Sequence, residues 1–315
     1  MKLHQLNALA TIADTGSIRA AARTLSLSPA ALTKAVRELE DDMKVPLVVR
    51  NTSGISLTEF GQTLLVHARL IRTQLAQAHA DIDAMRGIHH GTLSIGVTPW
   101  IALTLLAGTL KRFRDRMPNM NIEVFEGALA IVAPRLRDGG LEFSIGHPLL
   151  GTGNEFNTQP LFATTAVATC RIGHPLAGSK TLSSLLDSEW ILNWDPASAN
   201  EVSHKLFTRH GVSIPNTIHL VHSLSITLGL LQSTDMIAVL PAPILEVPFV
   251  KNMLVALPLD EKLYEMRAVV TSRRNTPLSP GAECFLECLK CETLEGARSA
   301  WPEKRRHLQL VDWIG

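Results

Sequence analysis

Between Thr58 and Arg86 the chain contains no proline and a single glycine, Gly61, close to the start. Proline and glycine are the residues that interrupt helices, so the stretch is predicted to be one continuous helix, about 40 Å long at ~1.5 Å per residue. Leu64, Ala68, Ile71, Leu75, Ala78, Ile82 and Met85 recur along it in alternating steps of four and three. That is the heptad spacing of a coiled-coil seam. Such a seam calls for a partner helix, most economically a second copy, and Leu64, Ala68, Ile71, Leu75, Ala78 and Ile82 are the expected dimerisation residues. An ordinary amphipathic helix packed on its own chain is the competing reading. In both readings the rod separates a small N-terminal part from a large C-terminal one. With 315 residues, 46% of them hydrophobic, the chain has material for separate cores on each side.

The N-terminal part, "LHQLNALATIADTGSIRAAARTLSLSPAALTKAVRELEDDM", divides into three helical segments with two short breaks. In the first segment Leu6, Leu9, Ala10 and Ala13 share a face. Gly16 reads as its stop and Ser17 as the cap of the next helix, whose alanines let a neighbour approach closely. After the break "SLS", Ser28 is placed to cap a third helix that Pro29 begins. Leu32, Ala35, Val36 and Leu39 fall on one face of it, and Ala30, Thr33, Lys34 and Arg37 on the other. Two short helices joined by a tight turn, the second sharply capped, form the helix-turn-helix pattern, in which the second helix enters the DNA major groove. A plain three-helix bundle with a solvated polar face shares that pattern. The next segment, "VPLVVRNTSGISLTEFG", has two apolar runs about a "TSG" turn and reads as a hairpin, the wing of a winged domain.

The formal net charge is +1, so global charge neither supports nor excludes a nucleic-acid partner and local charge must decide. On the polar face, Lys34 and Arg37 can reach phosphates or guanine edges, Thr33 can meet base or backbone, and Ala30 can lie against a thymine methyl. Arg50 at the wing is a candidate phosphate clamp, with an ion pair to Glu40 or Asp41 as the alternative. So few cations imply modest affinity per copy and a need for several copies.

These residues resemble the N-terminal domain of the LysR-type transcriptional regulators. The likeness rests on "GS" before an alanine-rich helix, "LE" closing the recognition helix, "PL…R" leading into the wing and "LTxxG" opening the next helix. Two positions depart from the family pattern. Pro29 stands where a glutamine usually follows the serine of the turn, and Ser53 stands where the wing usually carries a basic residue. The candidate DNA-contacting residues are Ser28, Pro29, Ala30, Thr33, Lys34, Arg37 and Arg50. The resemblance implies a dimer, commonly doubled to a tetramer.

After "GIHHG" the composition changes to short apolar runs alternating with helical stretches. Strands are expected at "TLSIGV", "NIEVF", "EFSIG", "TAVATC", "WILN", "IHLV", "MIAVLP" and "RAVVTS". Helices are expected at 100–116, 130–138, 181–187, 201–211, 224–234 and 280–291. That is an α/β fold with mostly parallel sheets, and the strand count favours two lobes. The resemblance specifies them as two periplasmic-binding-protein-like, Rossmann-type lobes joined by a pair of crossover strands. The expected layout is a winged domain at 1–58, a linker helix at 59–87, lobe I at 88–160 with 266–292, lobe II at 161–265, and a tail at 293–315.

Ligands of open α/β folds bind beyond the C-terminal ends of strands, where helix N-termini point. The strand-to-helix junctions offer Thr98, Pro99 and Trp100 in "SIGVTPWIA", Gly127 and Ala128 in "VFEGALA", His147 in "SIGHP", Asn193 and Trp194 in "ILNWD", and His222 and Ser223 in "LVHSLSI". Thr98, Trp100, Ala128, His147, Asn193 and Ser223 are the candidate effector-binding residues, with Trp100 beside the opening. Free N–H groups with hydroxyl, amide and imidazole side chains suit a small organic anion, a carboxylate or sulfonate. Each position alone also reads as an ordinary cap or core side chain.

No paired-histidine zinc helix, lysine-bearing phosphate loop or nucleophile elbow is present, so neither catalytic residues nor cofactors are expected. Cys284, Cys288 and Cys291 lie four and three apart on one helix face. Metal binding and redox sensing are open to them, but an inert, core-facing set is the plainer reading, and Cys170 also reads as core. Four cysteines do not make a secreted framework, and neither a signal sequence nor a membrane-length apolar run is seen, so a cytoplasmic location is expected. In the tail, Trp301, Leu308, Val311 and Trp313 could dock on a subunit, or the segment could be solvated. The sequence thus reads as a transcription factor binding double-stranded promoter DNA and a small-molecule effector. A solute-binding protein or enzyme of periplasmic-binding-protein-like fold is the competing reading.

Overall fold

Every expected break in the N-terminal part carries a cap. The computed structural model describes residues 1–51, 54–88, 90–127, 129–148, 154–193, 199–300, 305–306 and 308–315. Helix α1 (Leu3–Thr15) stops at Gly16, which takes the left-handed conformation at φ 64° that glycine adopts without steric cost. The Ser17 hydroxyl accepts the Ala20 N–H to open α2 (Ile18–Thr24). The Ser28 hydroxyl accepts the Ala31 N–H at 3.1 Å to open α3 (Pro29–Met43), with Pro29 in its first turn. Ala21, Ala22, Leu32, Ala35 and Val36 form a shared core with Ala8 and Ile12 of α1. Strands β1 (Val48–Asn51) and β2 (Gly54–Leu57) pair antiparallel as the wing.

The "LTxxG" sequence does three jobs at the start of α4 (Glu59–Met85). The Thr58 hydroxyl accepts the Gly61 N–H at 3.0 Å and donates to the Pro46 carbonyl at 2.7 Å. The Thr58 N–H donates to the Leu47 carbonyl at 3.0 Å. A Cβ on Gly61 would lie 2.0 Å from that carbonyl oxygen, so only glycine permits the approach. The expected seam then splits by environment. Ala68 is buried with Leu6, Leu9, Leu39 and Leu47, and Leu64 packs on the same cluster. Ile71, Leu75, Ala78 and Ile82 are exposed, and Met85 is 89% exposed. Arg69, between the two stretches, pairs with Asp14 of α1 and with Asp138 at 2.9 Å.

By packing, the chain forms two compact units, one of residues 1–89 with 133–142 and the other of residues 90–132 with 143–315. In the second unit, β3 (Gly91–Val97) is followed by α5 (Pro99–Ile101), a π-helical turn (Ala102–Leu106) and α6 (Ala107–Arg116). Next come β4 (Met120–Glu126), α7 (Leu129–Arg137), β5 (Phe143–Gly146) and the long β6 (Phe156–Arg171). The order continues with β7 (Trp190–Leu192), α8 (Ala199–Leu206), β8 (Ile218–Leu220), α9 (Leu224–Ser233), β9 (Ile237–Pro241), α10 (Pro248–Lys251), β10 (Leu254–Ala256), β11 (Glu265–Arg273), α11 (Pro280–Gly296) and β12 (Asp312–Trp313).

The strands lie in the order β4-β3-β5-β11-β6-β9-β7-β8, with β10 and β12 also on β6. Pairing is parallel within β4-β3-β5 and within β9-β7-β8, and antiparallel wherever β6 or β11 takes part. The sheet is therefore two parallel halves joined by an antiparallel crossover pair. One core cluster includes Leu93, Ile95, Phe113, Phe143, Phe162 and Phe285, and a second is centred on Trp190, Phe207 and Leu182.

Four details differ from the sequence expectation. The segment 181–187 is a 3-10 turn at Leu182–Leu185, whose two leucines three apart are both buried, the spacing that such a turn aligns. The helix expected at 201–211 runs Ala199–Leu206, then a 3-10 turn leads into left-handed Gly211. Helix α11 continues to Gly296, and in its added turns the buried Glu292 carboxylate meets Arg112 of α6 at 2.9 Å. The strand expected at 165–170 begins at Phe156, and a register shift at Ala268/Val269 accommodates Pro160, which has no N–H to donate.

Candidate DNA-reading helix and effector cleft

Helix α3 buries Leu32, Ala35, Val36 and Leu39, which forces Pro29, Ala30, Lys34 and Arg37 outward, with Thr33 half-buried at the edge. An open groove of about 570 Å³ runs along this side, lined by Pro29, Ala30, Thr33, Lys34, Arg37, Glu38 and Asp41. Thr33 and Arg37 also border a hollow of about 370 Å³ between the helices and the wing. The Lys34 ammonium is 79% exposed and 3.9 Å from Glu38, a contact worth well under ~1 kcal/mol in water. Arg37 has no ion-pair partner among the described residues. Both cations are therefore available to a phosphate or a base edge.

Glu40 turns away from this face. Its Oε1 accepts the N–H groups of Leu47 and Val48, which fixes the wing to α3. Arg50 lies in β1 opposite Ile55. Ser53 falls outside the described residues. The periodicity of α3 foretold its outer face, whereas nothing in the local sequence announced the Glu40 clasp.

The effector candidates gather at two junctions. In one, β3 and β5 end side by side. The Thr98 N–H donates to the Ile145 carbonyl at 3.0 Å, and the Gly127 N–H donates to the Val97 carbonyl at 3.3 Å. A Cβ at Gly146 would sit 2.4 Å from the Thr98 methyl, so this glycine allows Thr98 its place and hands the chain on to His147. The Thr98 hydroxyl and the Trp100 indole N–H are buried without a hydrogen-bond partner among the described residues. Buried polar groups are nearly always paired, so two orphans two residues apart make this junction a candidate ligand site. A π-helical turn, a local irregularity common at functional sites, follows at once.

The Trp100 ring itself departs from expectation. It is 4% exposed and meets Phe162 edge-to-face with centroids 5.5 Å apart, so it lines the core instead of standing beside the opening. His147 keeps an exposed edge. The protein around the rest of the ring lowers its pKa from the ordinary 6.5 by burial, against a backbone hydrogen bond to Arg267 that favours the charged form.

At the second junction β7 and β8 end together. The His222 Nδ1 lies 3.3 Å from Asn193 Oδ1, and the Val221 N–H donates to the Leu192 carbonyl at 3.0 Å. The Ser223 hydroxyl caps α9 through the Ile226 N–H at 3.4 Å and lies 2.9 Å from the Ser225 hydroxyl. Ser225 was not among the effector candidates, and His222 entered only as the neighbour of Ser223; the signal for Ser225 was its place two residues into a capped helix. Ala128 and Trp194 lie outside the described residues. Pairing of Gly146 with Val269 and of Pro241 with Ala166 sets the C-terminal ends of β5 and β9 next to the β6–β11 crossover. The described residues contain no group of three or more His, Cys, Asp or Glu side chains arranged to hold a metal ion.

Comparison with known proteins agrees with both halves of this arrangement. The family described as "Bacterial regulatory helix-turn-helix protein, lysR family" matches residues 3–62. The LysR substrate binding domain matches residues 86–293. Similar proteins include the HTH-type transcriptional regulator TdcA of Escherichia coli, 27% identical over 293 residues and 92% of each chain. GbpR of Azospirillum brasilense is 25% identical over 92% of this chain and 86% of its own. Among solved structures of the same fold is a full-length OxyR variant from Pseudomonas aeruginosa, with a TM-score of 0.68, 19% identity and coverage of 92% and 95%. Full-length CbnR complexed with its target DNA has a TM-score of 0.66, 19% identity and coverage of 92% and 99%. A capped helix with two exposed cations, in a helix-turn-helix segment of the lysR family carried ahead of a substrate-binding domain that matches over two hundred residues, places the chain in the LysR family, and it is a DNA-binding transcriptional regulator controlled by a small-molecule effector.

Proposed function

We propose that Ser28, Pro29, Ala30, Thr33, Lys34 and Arg37 form the face of α3 that enters the major groove of promoter DNA, with Arg50 of the wing on a phosphate. The observation that carries this is a pair of exposed cations, Arg37 and a Lys34 held only by a long 3.9 Å contact to Glu38, on a helix whose opposite face is buried. CbnR, a solved structure of the same fold, is itself complexed with its target DNA. With Pro29 in the first turn and only two cations on the helix, apolar contact to thymine methyls carries much of the readout, and affinity comes from repetition. The repeated unit is a homodimer or homotetramer, joined along residues 59–87 by the exposed part of the α4 seam.

The effector-binding unit comprises one lobe at 88–160 with 266–292 and another at 161–265, and its ligand is a small organic anion. Thr98 and Trp100 offer unpaired donors on one side, and Asn193, Ser223 and the N-terminus of α9 offer donors on the other. Ala128 and His147 complete the set. Binding favours one lobe arrangement through differential affinity and so biases the heads on DNA. The protein acts in the cytoplasm and without catalysis; no helix among the described residues is long and apolar enough to cross a membrane.

The test is a gel-shift titration with genomic fragments, comparing the natural protein with the Lys34→Ala/Arg37→Ala double variant. Binding should weaken at least ~30-fold while circular dichroism stays unchanged, given ~1–3 kcal/mol for each such contact. Equal binding by the two proteins would refute the assignment of this face.

A further inference from the structure

The last residues of the chain, beyond the segment matched by the family domain, are built into the junction of the two half-sheets. Leu308 and Val311 are buried in the core that holds Trp100 and Phe162. The Thr164 hydroxyl donates to the Leu310 carbonyl at 2.7 Å. Strand β12 pairs antiparallel with Phe162 and Ala163 of β6. The N–H groups of Ile314 and Gly315 both reach the Leu161 carbonyl, at 2.9 and 3.3 Å. Leu161 is the residue passed over where the β6–β11 register shifts.

Phe162 and Ala163 are already paired through their other edge, with Ala268 and Arg267 of β11. A strand has two edges, so β12 closes the second one. It does so immediately before Ala166, where β6 begins to pair with β9 of the other half-sheet. An aromatic row crosses the same place. Trp313 and Phe162 have ring centroids 6.4 Å apart, and Phe162 meets Trp100 at 5.5 Å. The Lys290 ammonium lies 5.5 Å from the centre of the Trp313 ring, and the indole N–H donates to the Gly315 carbonyl at 2.7 Å.

We propose that the C-terminal segment is the third strand of the hinge between the two half-sheets, and that Trp313 is a positioning residue for the effector cleft, acting on Trp100 through Phe162. The geometry stands alone; its purpose rests on the effector reading above. Closing two lobes on a ligand bends the crossover strands, and a third strand bonded at the bend must deform with them. The segment therefore sets how stiffly the cleft resists closure, and the row of rings sets where Trp100, two residues from the orphaned Thr98 hydroxyl, comes to rest.

Amide hydrogen exchange tests this without an effector. The full chain is compared with a variant lacking residues 312–315 and with Trp313→Ala; both keep the buried anchors Leu308 and Val311. Exchange should accelerate about tenfold or more at 160–166, at 265–268 and at 98–105, while β3 and β9 hold their protection. Residues 265–268 and 98–105 make no hydrogen bond to the tail strand, so simple loss of an edge would leave them unchanged. Trp313→Phe should restore the slow exchange. Acceleration confined to the amides that bond the tail, or spread evenly over the whole domain, would overturn the proposal. A thermal-shift screen in which no organic acid binds would remove the effector reading and leave the exchange pattern to decide the hinge.

Discussion

Glu40 accepts the backbone N–H of Leu47 at 2.8 Å, so a side chain near the end of α3 holds the start of the wing. The same oxygen takes the Val48 N–H at 3.1 Å. Hydrogen bonds to a charged acceptor contribute roughly 1.5–3 kcal/mol when the donors would otherwise lack a partner. Glu40→Ala should lower the stability of the N-terminal unit by about 2 kcal/mol and weaken DNA binding, because the wing loses its anchor. Glu40→Gln keeps an acceptor and should recover most of both. Thermal melting followed by circular dichroism, with a gel shift on the same samples, reads the two effects together.

Gly61→Ala sets helix propensity against sterics. Alanine in a helix is favoured by about 1 kcal/mol over glycine. Its Cβ would meet the Leu47 carbonyl oxygen at 2.0 Å, and backbone cannot step aside as a flexible side chain can. Sterics should win, with a net loss of about 2 kcal/mol in chemical denaturation. An equal or higher midpoint would show that the start of α4 moves freely.

The two ends of the α4 seam should respond differently to an introduced carboxylate. Leu75→Asp and Ile82→Asp place charge on exposed apolar positions and should leave the fold intact while shifting sedimentation toward monomer. Ala68→Asp buries a charge in the core of the head and should unfold it. If the first two variants sediment like the parent, the exposed stretch of α4 is not the dimer contact.

Because burial lowers the pKa of His147 in the folded chain below its ordinary 6.5, the unfolded chain binds the proton more readily. The stability difference is absent above the unfolded pKa and grows as pH falls beneath 6.5, where the unfolded state gains the proton first. Melting temperature should therefore decline as pH falls through 6.5, and His147→Asn should flatten that part of the curve. An unchanged slope in the variant would mean that His147 titrates as it does in water.

The four thiols should react in two classes. Burial pushes Cys170 and Cys288 up to about 11, and both are buried, so neither presents thiolate at neutral pH. Cys284 and Cys291 are half-buried. Labelling of the native protein with a disulfide reagent should modify Cys284 and Cys291 first, and the other pair only on unfolding. Early modification of Cys288 would contradict its place in the core.

Local interactions made much of this protein readable from its residues. Ser17, Ser28, Thr58 and Ser223 each cap a helix through an N–H only three positions away, and Gly16 ends one, so the sequence alone determined where those helices begin and stop. The period of α3 likewise determined that Lys34 and Arg37 face outward. Partners distant in the chain left no such periodic mark. Only the tertiary structure decided that Ala68 faces its own head while Leu75 does not, that Trp100 lines the core, and that Phe156–Thr164 is strand. Trp313 likewise found its place on Phe162 only there. The physical reason is that a cap or an amphipathic face is settled within a turn of helix, whereas the edge of a strand is indifferent to sequence until another strand arrives to bond with it.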